Sequence, residues 1–237
     1  MFHPQRAFYN ISLPFIQKIL SIALPFLSLL FIVSCHIPKY QYHGRESFPP
    51  GIEKIVVVGF KAAILQGESP DLFRSPVSGE TITAEPVSEE VAEEMTSDLF
   101  NSLKKIGKYS LISPGQARGV YSALLSQDIN ISATEMLKKI GKSFSSDAVL
   151  FGYIYRWRER VGTEYGIETP ASVAFDLSLV SPDNGAVLWR GIFNKTQLSL
   201  SENLLDFSTF IRSKGRWLTS RELAQIGLEK LMKEWAP

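Results

Sequence analysis

The sequence predicts an α/β domain with one mixed sheet of about five strands packed by helices, in the order β-α-β-α-α-β-β-β-α-α. Three observations predict it. Between residues 54 and 147, short apolar runs alternate with stretches whose apolar residues recur at helical spacing, and helical crossovers imply parallel pairing. Between 148 and 193, three runs alternate apolar and polar residues at period two with no helical stretch between them, which implies a three-stranded antiparallel meander. Helix-start signatures stand at Ser88, Ser132 and Thr219.

The chain opens differently. Residues 1–18 carry Arg6 and Lys18 and no acid, and 19–33 is almost wholly apolar, broken only by Ser21, Pro25 and Ser28. A basic segment followed by an apolar one is the layout of a secretory signal. It runs longer than the usual ~15–30 residues, which leaves room for a start codon downstream of Met1. The run closes on Ile32-Val33-Ser34-Cys35, which resembles the lipobox of bacterial lipoproteins. That resemblance implies cleavage after Ser34, diacylation of the Cys35 sulfur and usually acylation of its new amine. An uncleaved membrane anchor is the alternative, with a buried core segment a more remote one. An anchor needs ~20 apolar residues, reached here only by taking in Lys18 or running past Cys35 into His36. One acyl chain binds marginally at about 0.8 kcal/mol per methylene, so two or three hold a protein at the membrane durably. An aspartate after the cysteine tends to retain such proteins at the inner membrane; His36 stands here, which implies the outer membrane, facing the periplasm.

Residues 36–53, with Pro38, Pro49 and Pro50 and no apolar periodicity, read as an extended tether. The expected organisation is thus a signal peptide over 1–34, a lipidated cysteine and tether over 35–53, and a single α/β domain over 54–237. The first strand is 54–60, KIVVVGF, whose unbroken apolar run suits a strand covered on both faces. Residues 61–87 are punctuated by Gly67, Pro70, Pro76, Gly79 and Pro86 and read as a long loop, functional or disordered. Within it, Ser75-Pro76-Val77-Ser78-Gly79 has the outline of a metal knuckle with serines in place of cysteines, which argues against a metal.

Ser88 caps a helix with Val91, Met95, Leu99, Leu103 and Ile106 on one side, Glu89, Glu90, Glu93 and Glu94 at its start, Lys104 and Lys105 near its end, and Gly107 as the stop. Residues 109–113 form a second strand. Pro114 opens a helix with Val120, Tyr121, Leu124 and Leu125 on its apolar side. Ser132-Ala133-Thr134-Glu135 is a capping box before Met136, Leu137, Ile140 and Phe144. In the strand 148–158, Val149, Phe151, Tyr153, Tyr155 and Trp157 share a face at period two; in 171–181, Val173, Phe175, Leu177 and Leu179 point inward with Ser172, Asp176 and Ser178 outward. Pro182-Asp183-Asn184-Gly185 is a turn, and Val187, Trp189 and Phe193 continue an inward face. A helix is expected over 201–211. A last one starts at the capping box Thr219-Ser220-Arg221-Glu222 and carries Leu223, Ile226, Leu231 and Trp235.

Composition narrows the chemistry. Without residues 1–34 the chain keeps 23 cations against 24 acids, with no net basic field to draw nucleic acid. Cys35 is the one cysteine, so no disulfide forms within the chain. His3, His36 and His43 all precede the domain, which therefore has no histidine or cysteine. Ser-His-Asp and Cys-His nucleophile systems and the usual zinc sites are excluded; carboxylate, Lys, Tyr or Ser-Lys chemistry remains. No glycine-rich phosphate loop is present. No catalytic residue, metal site or cofactor is expected.

Two phrases, Ser146-Asp-Ala-Val-Leu-Phe-Gly-Tyr153 and Phe175-Asp-Leu-Ser-Leu-Val-Ser-Pro-Asp-Asn-Gly-Ala-Val-Leu-Trp-Arg190, set in this element order, resemble the periplasmic domain of the CsgG, LpoB and TolB N-terminal group. The resemblance covers about 54–235 in layout and some 25 residues in phrase. It implies a domain that binds other envelope proteins or assembles into rings, and none of the shared phrases is catalytic. Asn184-Gly185 makes the turn, Trp189 fills core space and Gly152 permits close approach of a packed element. A curli-type channel needs ~9–11 residues per membrane strand, which the proline-broken 61–87 does not readily supply.

Two segments interleave cations with aromatics, 155–160 (YRWRER) and 212–217 (RSKGRW). Tyr155, Arg156, Trp157, Arg158, Arg212, Arg216 and Trp217 read as an interaction surface for a protein partner, or as core aromatics with solvated arginines. A carboxylate pair of Asp176 with Asp147 or Glu159 is the enzymatic option; against it, Asp147 suits a cap, Asp183 a turn, and Asp176 an outward strand face. The sequence thus points to a non-enzymatic envelope lipoprotein that binds another envelope component and assists assembly, transport or cell-wall synthesis. A subunit of an outer-membrane export complex, with homo-oligomerisation, and a carboxylate-dependent wall hydrolase are the alternatives.

Overall fold

The computed structural model describes residues 48–198, 215–233 and 235. The signal segment, Cys35, most of the tether, the expected helix over 201–211 and Arg212 lie outside them. The elements are β1 (Lys54–Ala62), β2 (Ile64–Leu65), β3 (Asp71–Arg74), β4 (Thr81–Ala84), β5 (Pro86–Val87), α1 (Glu89–Ile106), β6 (Ser110–Ile112), α2 (Pro114–Gln127), α3 (Ala133–Ser143), β7 (Ala148–Arg158), β8 (Val161–Gly162), β9 (Ile167–Thr169), β10 (Ser172–Val180), β11 (Val187–Thr196) and α4 (Ser220–Met232).

Five strands form one mixed sheet in the order β11-β10-β7-β1-β6. β1 is an interior strand, next to the edge strand β6, and parallel to both neighbours, pairing Val56 with Ile112 on one side and with Val149 on the other. β7, β10 and β11 form the antiparallel meander, with Ser178 opposite Phe151 and Phe175 opposite Phe193. The apolar run in β1 is explained by cover on both faces. Ile55 and Val57 join the core under α1 and α4, with Met95, Leu99, Phe175, Trp189, Phe193, Leu228 and Trp235. Val56 points the other way, into the core under α2 and α3 with Val149, Met136, Leu137 and Ile140.

The helix signals act as the sequence implies. Ser88 Oγ accepts from Val91 N, and Gly107 (φ 68) closes α1 with its N–H on the Leu103 carbonyl. Thr219 and Glu222 form a reciprocal capping box at α4. Ser113 and Gln116 form another at α2, ahead of the Pro114 start. At α3 only half of the expected box is present: Ser132 accepts from Glu135 N, while the Glu135 carboxylate turns to Lys138 Nζ at 2.8 Å.

Four expectations are corrected. The 61–87 stretch is built rather than a bare loop: β3 and β4 form a hairpin, β2 pairs with β5, and the excursion is stitched to β7 by Ala63 N–H to Ile154 O and Glu85 N–H to Tyr155 O. Trp157 does not share the face of Tyr153 and Tyr155. The β7–β10 register shifts between the Ala174–Arg156 and Phe175–Ile154 pairs, leaving Tyr155 as an extra residue; this bulge turns Trp157 toward the α1/α4 core. A similar shift at Leu188 leaves Val187 39% exposed instead of inward. Ser172, Asp176 and Ser178, expected to face outward, are all buried, and Asp176 is 1% exposed because the β3–β4 hairpin covers its part of the sheet.

Two glycines set close approaches. A Cβ on Gly152 would lie 2.1 Å from the Asp176 carbonyl oxygen and 2.9 Å from the Phe60 ring. Gly59 (φ 89) sits at a bulge in β1, where Thr96 Oγ1 accepts from Phe60 N–H and occupies the space of a side chain.

Candidate functional site

Asp176 lies in mid-β10, on the face that the β3–β4 excursion covers. Its Oδ1 accepts from Tyr153 N–H at 2.9 Å, and its Oδ2 accepts from the hydroxyls of Tyr155 at 2.8 Å and Ser78 at 3.1 Å. Burial pushes the carboxyl pKa up against these hydrogen bonds and the nearby Arg190, which lower it. The Tyr155 phenol is raised by its own burial and then by the Asp176 charge, so it stays a donor. Phe73 of β3 covers the cluster, packing 5.0 Å from the Tyr153 ring and 6.0 Å from that of Tyr155. Arg190 reaches Glu80, in the turn of the hairpin, at 3.0 Å, while its Nε and Nη2 have no hydrogen-bond partner among the described residues. With both carboxylate oxygens occupied, the cluster holds the hairpin to the sheet and leaves Asp176 no free side for a substrate.

The carboxylates weighed as a catalytic pair are held apart. Asp147 accepts from the backbone N–H groups of Glu53 and Lys54 at 3.0 and 2.8 Å, which hold its pKa down. Glu159 accepts from Ser220 N–H and hydroxyl at the cap of α4. Asp176 bonds Tyr153, six positions along β7 and its extension from each of them, a strand distance of about 20 Å. Paired glycosidase carboxylates stand ~5–9.5 Å apart.

The two aromatic-cationic segments do meet. Arg160 Nη1 donates to the Trp217 carbonyl at 2.8 Å, and Trp217 N–H donates to the Glu164 carbonyl at 2.8 Å. This joins the end of β7, the β8–β9 hairpin and the approach to α4 into one surface. Tyr155 leaves the set: it is 0% exposed and belongs to the Asp176 cluster. Arg156 is turned onto β10 and β11, where Nε bonds Ser172 Oγ at 2.7 Å and Nη2 bonds Asn194 Oδ1 at 2.6 Å. Arg158 pairs with Glu85, and Arg216 forms a two-pronged pair with Glu222 at 3.0 and 2.6 Å. Trp157 and Trp217 are half-buried. The sequence reading missed Val161 and Tyr165, which stand 51% and 80% exposed on the joined hairpin. Tyr165 is flanked by Glu164 and Gly166 rather than by arginines, so a search for alternating cations and aromatics passes over it.

Among the described residues no helix is long and apolar enough to cross a membrane, and no group of three or more His, Cys, Asp or Glu stands where it could hold a metal.

No protein-family model and no curated protein matches the chain. Solved structures do. The chain is similar to a PelC dodecamer variant from Paraburkholderia phytofirmans, with 14% identity, a TM-score of 0.44, and cover of 82% of this chain and 96% of that one. It is similar to the LpoB C-terminal domain from Escherichia coli, with 17% identity, a TM-score of 0.37, and cover of 62% and 84%. It is also similar to a lipoprotein from Neisseria meningitidis, with 18% identity, a TM-score of 0.37, and cover of 68% and 92%.

Proposed function

We propose that this chain is a lipoprotein, anchored through Cys35 to the periplasmic side of the outer membrane, whose α/β domain docks on another envelope protein and assists assembly, transport or cell-wall synthesis without catalysing a reaction. The observation that carries the reading is Ile32-Val33-Ser34-Cys35, set between a basic-then-apolar segment and a proline-bearing tether. The docking face is the surface of Arg158, Val161, Tyr165, Arg216 and Trp217, with Trp157 packed beneath it against the core. It presents exposed aromatic and aliphatic groups beside partly exposed arginines, the composition favoured at interface centres. The wall-hydrolase alternative lacks a carboxylate pair among the three acids considered for it. The export-pore alternative lacks a suitable hairpin in 61–87, since β3 and β4 have four residues each against the ~9–11 of a membrane strand.

Two experiments test the proposal. Cys35→Ala is expected to leave an uncleaved precursor or a domain released from membranes; a processed, membrane-retained and lipid-labelled Cys35→Ala chain overturns the anchor. A photo-crosslinking residue at Tyr165 in intact cells is expected to capture an envelope protein, and one at Ile129, which is 84% exposed outside this surface, is not. Equal capture at both positions overturns the docking face, and a product of twice the chain's mass identifies a second copy as the partner.

A further inference from the structure

On the α2/α3 face of the sheet, away from the docking surface, is a partly open cavity of about 140 Å³. Its walls are apolar, formed by Val58, Met136, Leu137 and Phe151 among others, and three polar side chains line it as well: Lys61, Tyr121 and Tyr153. Lys61 Nζ donates to the Tyr121 hydroxyl and stands 3.8 Å from that ring's centroid, so the ammonium is held at the cavity by a phenol. The Tyr153 phenol is pushed up to about 12 by burial, then by Asp176 and Tyr121, and stays protonated as a donor. A cavity of roughly 150 Å³ lined by apolar side chains takes one benzene-sized molecule, and an apolar cavity with a few polar groups is the usual form of a small-molecule site.

We propose that this cavity binds a small apolar monocarboxylate, with one aromatic ring or a branched chain of similar size among Val58, Met136, Leu137 and Phe151 and its carboxylate on Lys61 and the tyrosine hydroxyls. The size follows from the volume. The sign of charge follows from the ammonium, which among the described residues is the one charged group lining the cavity. No proton transfer or covalent step is involved.

The chain's four methionines give a direct readout. Met136 lines the cavity, whereas Met95 and Met232 lie in the core under α1 and α4. Methyl-labelled full-length chain in detergent is titrated with benzoate and, separately, with toluene. The Met136 methyl resonance is expected to shift saturably with benzoate while those of Met95 and Met232 stay in place. Lys61→Gln is expected to weaken benzoate roughly tenfold, the loss of one charge-assisted contact, and to leave toluene within about twofold. Ala133→Leu, which fills the cavity, is expected to abolish both shifts, with Met95 and Met232 reporting that the fold is kept. A Met136 shift that does not saturate, equal movement of all three core methyls, or benzoate binding unchanged in Lys61→Gln overturns the proposal.

Discussion

Replacing Asp176 tests the account of the polar cluster most directly. Asp176→Ala removes the acceptor for the Tyr155 hydroxyl, Tyr153 N–H and Ser78 hydroxyl at once. Tyr155 is fully buried and bears the full cost of an orphaned donor, about 1–3 kcal/mol. The other two are part-buried and add less, so the expected loss is about 2–4 kcal/mol, or roughly 5–15 °C in melting temperature. Asp176→Asn is expected to behave differently, because the Tyr155 and Ser78 hydroxyls can rotate to accept from its amide. Burial raises the carboxyl pKa in the folded state. The stabilisation from binding its proton is therefore fully present below the unfolded carboxylate range, near ~3.9, and is lost as pH rises through the folded value. The asparagine variant is insensitive to this loss. Its stability relative to the parent should rise from about pH 3.5 to about pH 8, by about 1.4 kcal/mol for each tenfold difference in proton affinity between the folded and unfolded carboxyl. Urea titrations followed by tryptophan fluorescence at the two pH values measure it. An asparagine variant whose deficit grows toward pH 8 would refute the claim that burial outweighs the three hydrogen bonds.

Three further substitutions test the packing. Gly59→Ala would place a Cβ 2.2 Å from Thr96 Cγ2 at a φ of 89, and a loss of about 2–4 kcal/mol is expected in denaturant titration. Gly152→Ala drives a Cβ against the backbone carbonyl of Asp176, which cannot swing away; the domain should melt at least about 5 °C lower and lose hydrogen-exchange protection along the β7–β10 ladder first. Glu222→Gln removes the Arg216 ion pair and weakens the α4 capping box, at about 1 kcal/mol near neutral pH. Because Arg216 lowers the Glu222 pKa, the carboxylate's contribution is present above the unfolded range and lost as pH falls through the folded value. The deficit of the glutamine variant should accordingly shrink on acidification, as read from thermal melts across the acid range.

Much of the fold was legible because its signals are local. The caps at Ser88, Ser132 and Thr219, the stop at Gly107 and the Asn184-Gly185 turn each act within a few residues, and period-two alternation marks the meander strands. What was not legible depends on residues far apart in sequence. Asp176 alternates with inward apolar neighbours and reads as solvent-facing; only Ser78, Phe73 and Glu80, nearly a hundred residues earlier, make it buried. The inserted residue at Tyr155 cannot be seen in β7 alone, since a bulge is a relation between two strands. The aromatic-cationic segments were legible as a pair, but which members reach solvent was not. Arg156 is drawn onto Ser172 and Asn194, and Tyr165 becomes prominent only because its hairpin stands beside Trp217.

The interior place of β1, between β6 and β7, has a consequence for how the chain matures. It is the first strand of the sheet to be synthesised, yet Val56 finds its partner Val149 about 90 residues further on. At ~5–20 residues per second, the edge of IVVVGF that β7 will cover stays open for several seconds, even though β6, its partner on the other edge, follows sooner. Short, uncharged, β-branched segments of this kind pair readily with copies of themselves. Lys54 and Lys61 bracket it, placed as charged gatekeepers are placed beside unavoidable apolar strands. The same lysine that lines the α2/α3 cavity in the finished domain thus also guards its most aggregation-prone segment while the domain is still being made.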